Sequence, residues 1–236
     1  SGGARGADLR YNLDITLEDA FKGKQQSIKV TTSATCEACT GTGAEKGSKP
    51  EQCPNCEGRG TIRAQQGFFT IERACPQCSG TGKIIKNPCK PCAGTGTVRK
   101  EKTLNVTIPA GVEEGTRIRL AGEGEAGYRG GPAGDLYVFL TVQSHPTLRR
   151  DGINIHAEVT INYLQAILGD TIEVETVDGS EQLEIPAGTQ PGAVLTLTGK
   201  GVPKLGNPVA RGNHLIAIKV QLPTKVNREE KELLEQ

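Results

Sequence analysis

Apolar side chains recur at every second position through much of the chain. Leu9, Tyr11, Leu13 and Ile15 alternate with polar residues, as do Ile28 and Val30, then Leu104, Val106 and Ile108, then Ile118 and Leu120, and finally the run from Leu136 to Val142. Period-two alternation between glycine and proline turns predicts short strands with one buried face. Two helical turns interrupt it, LEDAFKG at 17–23 and YLQAILG at 163–169, each ending in a glycine expected in the left-handed conformation that closes a helix. Near the C-terminus, Asn227 with Glu230 three residues later is in capping-box register and predicts a helix start, after which the sequence stops at Gln236 within about two turns.

The strand pattern is duplicated. IPAG at 108–111 recurs at 185–188, LAGEGEAG from 120 is echoed by LTGKGVPK from 197, and Gly134-Asp135-Leu136 corresponds to Gly212-Asn213-His214. Upstream, YNLDITLEDAFKGKQQSIKV at 11–30 matches AEVTINYLQAILGDTIEV at 157–174, with Ala20 aligned to Ala166 and Gly23 to Gly169. In the first copy, however, this segment lies some seventy residues before its IPAG. The stretch from about 33 to 100 is therefore an insertion into the first of two related units. The expected fold is mainly β: two tandem small β-sandwich-like domains, the first carrying a cysteine-rich, zinc-stabilised β-hairpin insertion. The boundaries are 1–32 with 101–148 for the first domain, 33–100 for the insertion, 149–224 for the second domain, and 225–236 for the start of a C-terminal helix.

The insertion holds all eight cysteines, in four copies of one pattern: CEACTGTG from 36, CPNCEGRG from 53, CPQCSGTG from 75 and CKPCAGTG from 89. Cys-x-x-Cys lets two thiolates converge on one metal from a tight turn, and two pairs complete a tetrahedral Zn²⁺ site, so four pairs give two structural zincs. The glycines after each pair permit positive φ and turn backbone N–H groups toward sulfur. Disulfides fit poorly with regular pairs and no secretory signal, and a thioredoxin-like dithiol needs a helix start that G-x-G opposes. Between 40 and 97 the only large apolar residues are Ile62, Phe68, Phe69, Ile71, Ile84 and Ile85, too few for a core, so metal must replace it. An insert between strands must leave and return at one place. That favours a nested pairing, Cys36 and Cys39 with Cys89 and Cys92, then Cys53 and Cys56 with Cys75 and Cys78, joined through a hairpin in TIRAQQGFFTIER; sequential pairing stays open.

Composition narrows the function classes. The net charge is +1 over 236 residues, which gives no whole-chain reason for a polyanion partner. The insertion has ten Lys or Arg against five Asp or Glu between 33 and 100, but two Zn(Cys)₄ sites at about −2 each nearly cancel that surplus, which argues against nucleic acid. No apolar run approaches a membrane span, and the absence of methionine suggests a piece of a longer protein. His145, His156 and His214 stand apart from any ligand spacing and read as surface or packing residues, Asp135 reads as a turn residue, and no nucleophile–base constellation marks an enzyme.

Four C-x-x-C-x-G-x-G repeats inserted after RGADLRYNLDITLEDAFKGK, together with QGFFTIERACPQC, KTLNVTIPAGVEEGTRIRLAGEGEAG and GGPAGDLYVFLTV, resemble the C-terminal portion of a DnaJ-type chaperone over essentially the full chain. The resemblance implies two Zn²⁺ ions in nested pairing and a non-catalytic molecular chaperone of the bacterial or organellar cytoplasm. It implies capture of extended apolar segments of unfolded polypeptides, delivery to a DnaK-type ATPase chaperone, and a homodimer formed through a C-terminal helix. It places a shallow apolar groove near Leu9, Ile28, Val30 and Val138, with client entering by strand addition. Two departures stand out: the J domain and its His-Pro-Asp signature are not in this sequence, where His145-Pro146 is followed by Thr147, and the dimerisation helix breaks off at Gln236. The alternative from another class is a zinc-dependent thiol–disulfide oxidoreductase using the C-x-x-C pairs.

Overall fold

The computed structural model of the chain describes residues 4–66 and 69–236. Its first part runs β1 (Leu9–Ile15), α1 (Leu17–Lys22), β2 (Lys24–Thr35), β3 (Glu51–Gln52), β4 (Thr61–Gln66), β5 (Phe69–Ala74), β6 (Lys83–Ile84), β7 (Thr97–Ile108), β8 (Arg117–Leu120) and β9 (Leu136–Val142). The second part continues with β10 (Arg149–Asp151), β11 (Asn154–Asn162), α2 (Tyr163–Leu168), β12 (Asp170–Thr176), β13 (Gly179–Ile185), β14 (Val194–Leu197), β15 (Pro203–Lys204), β16 (Asn207–Arg211), β17 (His214–Gln221) and α3 (Arg228–Leu234). The fold is mainly β, as the alternating pattern predicts.

The sheets carry the duplication. In the first copy the strands lie in the order β1-β9-β8 and β2 pairs with β7; in the second, β11-β17-β14 repeats that order, β10 is added outside β11, and β12 pairs with β13. Thr176 of β12 lies opposite Gly179 of β13, so two residues, Val177 and Asp178, make the turn. At the matching place the first copy inserts everything between β2 and β7. Two antiparallel strands joined elsewhere by a tight turn offer adjacent ends, and a long excursion can start and finish there without disturbing the pair.

Each short helix is fixed by its N-terminus. The Thr16 hydroxyl accepts the Asp19 N–H at 3.1 Å while the Asp19 carboxylate accepts the Thr16 N–H at 3.4 Å, and Asn162 with Gln165 repeats the exchange at 2.8 and 2.9 Å. Such boxes supply partners to N–H groups that a six-residue helix cannot satisfy itself. The closing glycines differ from expectation. Gly23 and Gly169 have positive φ but extended ψ, 72° and 158° for the first, 79° and 160° for the second. The extended ψ follows from the chain leaving each helix directly into a strand, β2 at Lys24 and β12 at Asp170. Crowding adds to the demand for glycine: a Cβ at Gly23 would come within 2.9 Å of the Ile108 carbonyl oxygen, one at Gly169 within 2.8 Å of that of Ile185.

The chain divides into two compact units, Ser1–Tyr11 with Ser27–Asn105 and Arg117–Phe139, and Asn12–Gln26 with Val106–Thr116 and Leu140–Gln236. Their border thus runs through β1, β2, β7 and β9. The second unit holds an aliphatic core of Ile161, Ala166, Val174, Leu183, Ile185, Ile216 and Ile218, and another cluster of Leu17, Phe21, Leu148, Ile155, Val177 and Val202; each large side chain so enclosed contributes about 1.5–3 kcal/mol. In the first unit, the insertion has a different interior. Its buried clusters are the cysteines themselves, with Val98 beside one set and Ile62 and Ile84 beside the other. At the C-terminus Asn227 and Glu230 form the predicted capping box, and α3 buries no residue.

Candidate metal centres

The eight cysteines form two groups of four, Cys36, Cys39, Cys89 and Cys92 in one and Cys53, Cys56, Cys75 and Cys78 in the other, with all sulfurs of a group within 4.8 Å of one another. This is the nested arrangement. Cross-pair Sγ separations are 3.9 Å for Cys36 to Cys89, 3.7 Å for Cys39 to Cys92, 3.9 Å for Cys53 to Cys75 and 3.6 Å for Cys56 to Cys78. Four thiolates about 2.3 Å from one Zn²⁺ sit about 3.8 Å apart at the corners of a tetrahedron, so each group fits that ion without rearrangement.

The sequence pattern explains how each half-site is built. In every copy the residue after the second cysteine, Thr40, Glu57, Ser79 or Ala93, has φ near 50°, and the two following glycines also have positive φ. This left-handed run curls the chain so that the N–H of the second glycine donates to the sulfur of the second cysteine: Gly43 to Cys39 at 3.3 Å, Gly60 to Cys56 at 3.3 Å, Gly82 to Cys78 at 3.2 Å and Gly96 to Cys92 at 3.2 Å. Each half then grips its partner through the backbone. The Cys36 N–H donates to the Gly96 carbonyl and the Cys89 N–H to that of Gly43, at 2.9 and 2.8 Å, and Cys53 and Cys75 do the same with Gly82 and Gly60 at 2.9 Å. The second glycines press on the first glycines of the opposite half, so a Cβ at any of Gly43, Gly60, Gly82 or Gly96 would lie 2.3–2.4 Å from a backbone oxygen.

Burial opposes thiolate charge and pushes Cys56 up to about 11 and Cys89 up to about 12. It opposes charge at Cys75 and Cys92 as well. There the Cys78 N–H and the Asn55 amide bring Cys75 down to about 6, and the Gly96 N–H with the Cys39 thiol brings Cys92 down to about 7. Asn55 Nδ2 donates to Cys75 Sγ at 3.2 Å, a contact that the motif spacing did not reveal because Asn55 occupies a variable position between two cysteines. Sulfurs held this way ionise together once a divalent cation neutralises them.

The two centres are placed by elements on either side. β3 pairs with β6, Glu51 opposite Ile84 and Gln52 opposite Lys83, which brings the ends of the outer centre together. β4 and β5 form the predicted hairpin, Thr61 opposite Ala74 through Gln66 opposite Phe69; its turn residues, Gly67 and Phe68, lie outside the described residues. At the inner end the 122–127 segment ties down β2. The Ser33 N–H donates to the Glu125 carboxylate at 2.7 Å, Thr32 Oγ1 donates to the Gly124 carbonyl at 2.8 Å, and Arg99 lies 3.3 Å from Glu125. The Ser33 hydroxyl, ahead of the cost of burial, holds the Glu125 carboxyl below its usual range.

The chain belongs to the DnaJ C-terminal domain family. That family's model, described as DnaJ C terminal domain, matches residues 9–223. Among curated relatives, "Chaperone protein DnaJ" of Prochlorococcus marinus (strain MIT 9313) is 57% identical over 239 residues, covering 100% of this chain and 63% of the relative. The proteins of the same name from Paramagnetospirillum magneticum and Rhodospirillum centenum are 57% and 58% identical over 231 residues, covering 98% of this chain and 60% and 61% of the relatives. This DnaJ-family chain thus spans less than two thirds of the length of the relatives it matches. The oxidoreductase alternative finds no support: all eight thiols are buried, and none of the four pairs opens a helix.

The residues expected to line a client groove are distributed over two sheets. Leu9 on β1 and Val138 on β9 share one, and Ile28 and Val30 lie on β2 of the other. Ile28, Val30 and Val138 are buried, Val138 without exposed surface, and Leu9 is half-buried. One other expectation changes. Asp135 is a buried ion-pair residue: it accepts the Gly122 N–H at 2.8 Å and bridges Arg119 at 2.7 Å and Arg5 at 3.0 Å, which holds its carboxyl below the usual range. His214, expected at the surface or in packing, is a packing residue: it is fully buried, and neither ring nitrogen has a hydrogen-bond partner among the described residues. The Gly-Asp pair carried no periodic signal of burial, whereas His214 stands in the buried alternation of β17 with Ile216 and Ile218. No helix among the described residues is long and apolar enough to cross a membrane.

Proposed function

We propose that this chain is the polypeptide-binding part of a chaperone, taking hold of exposed apolar segments of unfolded proteins and, within the full-length protein, passing them to a DnaK-type ATPase chaperone. The observation that carries the reading is the family match across 9–223 on a fold of two β-units with open strand edges, β1 and β8 in one and β10 and β14 in the other. An extended peptide adds to such an edge through main-chain hydrogen bonds while its side chains enter apolar ground. In the first unit that ground is Leu9, the accessible member, with Ile28, Val30 and Val138 as the floor beneath an arriving strand.

Cys36, Cys39, Cys89 and Cys92 hold one Zn²⁺ in this reading, and Cys53, Cys56, Cys75 and Cys78 the other. Both ions are structural, each contributing folding free energy on the order of 10–16 kcal/mol. The domains follow the duplication: 1–32 with 101–148, the insertion 33–100, 149–224, and 225–236 as the beginning of a dimerisation helix. No catalysis is assigned to the chain, and its compartment is the cytoplasm of a bacterium or organelle.

The test is binding of a labelled, permanently unfolded polypeptide against its native form. The reading expects the chain to bind the unfolded form, to bind it at least tenfold more tightly than the native one, and to slow aggregation of a heat-denatured protein. Equal affinity for both forms, or no effect on aggregation, contradicts it. Within a folded Val30→Asp variant, unchanged affinity removes Val30 from the groove.

A further inference from the structure

The two copies differ on the outer faces of their matched sheets. In the first copy the ring of Phe139 on β9 lies under the Arg10 guanidinium, 3.9 Å from the ring centroid, and Arg117 on β8 is its cross-strand neighbour. The same three positions in the second copy are Ala217, His156 and Val194, with Val194 opposite Ala217 in the same register. A methyl group where the first copy has a ring, and a valine where it has an arginine, open a groove of about 540 Å³. Pro146, Arg149, His156, Val194, Leu215 and Ala217 line it. Val194 is 58% exposed, an apolar side chain at a position where the first copy presents a cation.

We infer that this groove receives an aromatic side chain of an extended polypeptide, in the place that Phe139 fills in the first copy. Three features carry the assignment. The first copy shows what this sheet geometry accommodates, a ring lying on the strands with a cation over it. The second copy keeps the strand order and register, replaces the ring by Ala217, and sets Arg149 and His156 beside the opening, so an incoming ring gains both apolar burial and a cation over its face. Finally, β14 is an edge strand, so a client strand adding there presents every second side chain to the groove. Glu158, which also lines the groove, is paired with Lys219 at 2.6 Å. The inference rests on the reading that the chain holds unfolded polypeptide and names the side-chain class it selects at a second place.

The experiment uses the whole metal-loaded chain and a neutral nine-residue peptide with one central phenylalanine, compared with its leucine and alanine analogues. Methyl chemical shifts of Val194, Leu215 and Ala217 and the peptide affinity are read together. The phenylalanine peptide should move those methyls and bind at least tenfold more tightly than the alanine peptide, with the leucine peptide between them. Ala217→Phe, which places the first copy's own residue in the groove, should abolish the shifts and weaken binding at least tenfold. Val194→Arg, again the first copy's residue, should do the same and stands in if the first variant does not fold. Unmoved methyls in the wild-type chain, or undiminished affinity in a folded variant, overturn the inference. Retention of a denatured polypeptide is measured separately. If it persists while the groove is silent, only the groove assignment fails; if it is absent while the peptide occupies the groove, the site stands and the chaperone reading fails.

Discussion

A Cβ added to Gly96 would lie 2.4 Å from the carbonyl oxygen of Gly41, at a backbone φ of +81°. Gly41 belongs to the first cysteine motif and Gly96 to the fourth, so the two ends of the insertion meet backbone to backbone where it leaves and rejoins its β-unit. Gly96→Ala is therefore strained in itself and clashes with an atom that cannot move aside. The variant should lose the inner metal and keep the outer one, so that metal content falls from two per chain to one. Gly47→Ala is the control: its φ is +92° but nothing lies within 4 Å of the added atom, and both metals should stay.

Glu125 anchors the foot of the insertion through the Ser33 N–H. Removing a partly buried carboxylate that accepts such bonds costs roughly 1–3 kcal/mol. Glu125→Ala should keep both metals yet speed amide hydrogen exchange at Ser33 and Cys36 relative to the hairpin β4–β5. Equal exchange in the variant and the parent chain would show that the 122–127 segment is not the anchor.

His214 stands at the position that Leu136 holds in the first copy, and both are fully buried. Desolvation, with the nearby His156 second, lowers its basicity below the usual 6.5. The unfolded chain accordingly takes up a proton that the folded chain refuses, so stability is complete above about pH 6.5 and falls as the pH drops below it. Chemical denaturation of the second unit between pH 5 and 7 should show that slope, and His214→Leu should flatten it. A slope unchanged in the variant would assign the pH dependence elsewhere.

Chelation should unfold the insertion alone. Its buried clusters are cysteine with Val98, Ile62 and Ile84 alongside, whereas the second unit has its own aliphatic core. Circular dichroism after exhaustive chelation should retain most β-signal, while the amides of β3 to β6 lose protection. Loss of the whole β-signal would mean that the units depend on the metals.

Much of this architecture was legible in the sequence because it repeats. Period-two apolar positions marked the strands, the two IPAG segments exposed the duplication, and the displaced first IPAG located the insertion. The return of the chain to its starting point then favoured nested cysteine pairing. What stayed hidden depends on contacts between residues far apart in sequence. Asp135 looked like a turn residue because its partners, Arg5 and Arg119, come from other segments. The burial of His214 was legible from its alternation with Ile216 and Ile218, but its lack of a hydrogen-bond partner among the described residues was not. Val138 and Ile28 carried the same alternation whether they faced a client or the core, and the structure encloses both.

The pairing of the cysteines is the claim most directly open to measurement, through metal content of two double-serine variants by native mass spectrometry. Nested centres predict one metal per chain in Cys36→Ser/Cys89→Ser, whose two lesions fall in one centre, and none in Cys36→Ser/Cys53→Ser, whose lesions fall in both. The opposite result, none in the first variant and one in the second, would mean sequential pairing and would contradict the account.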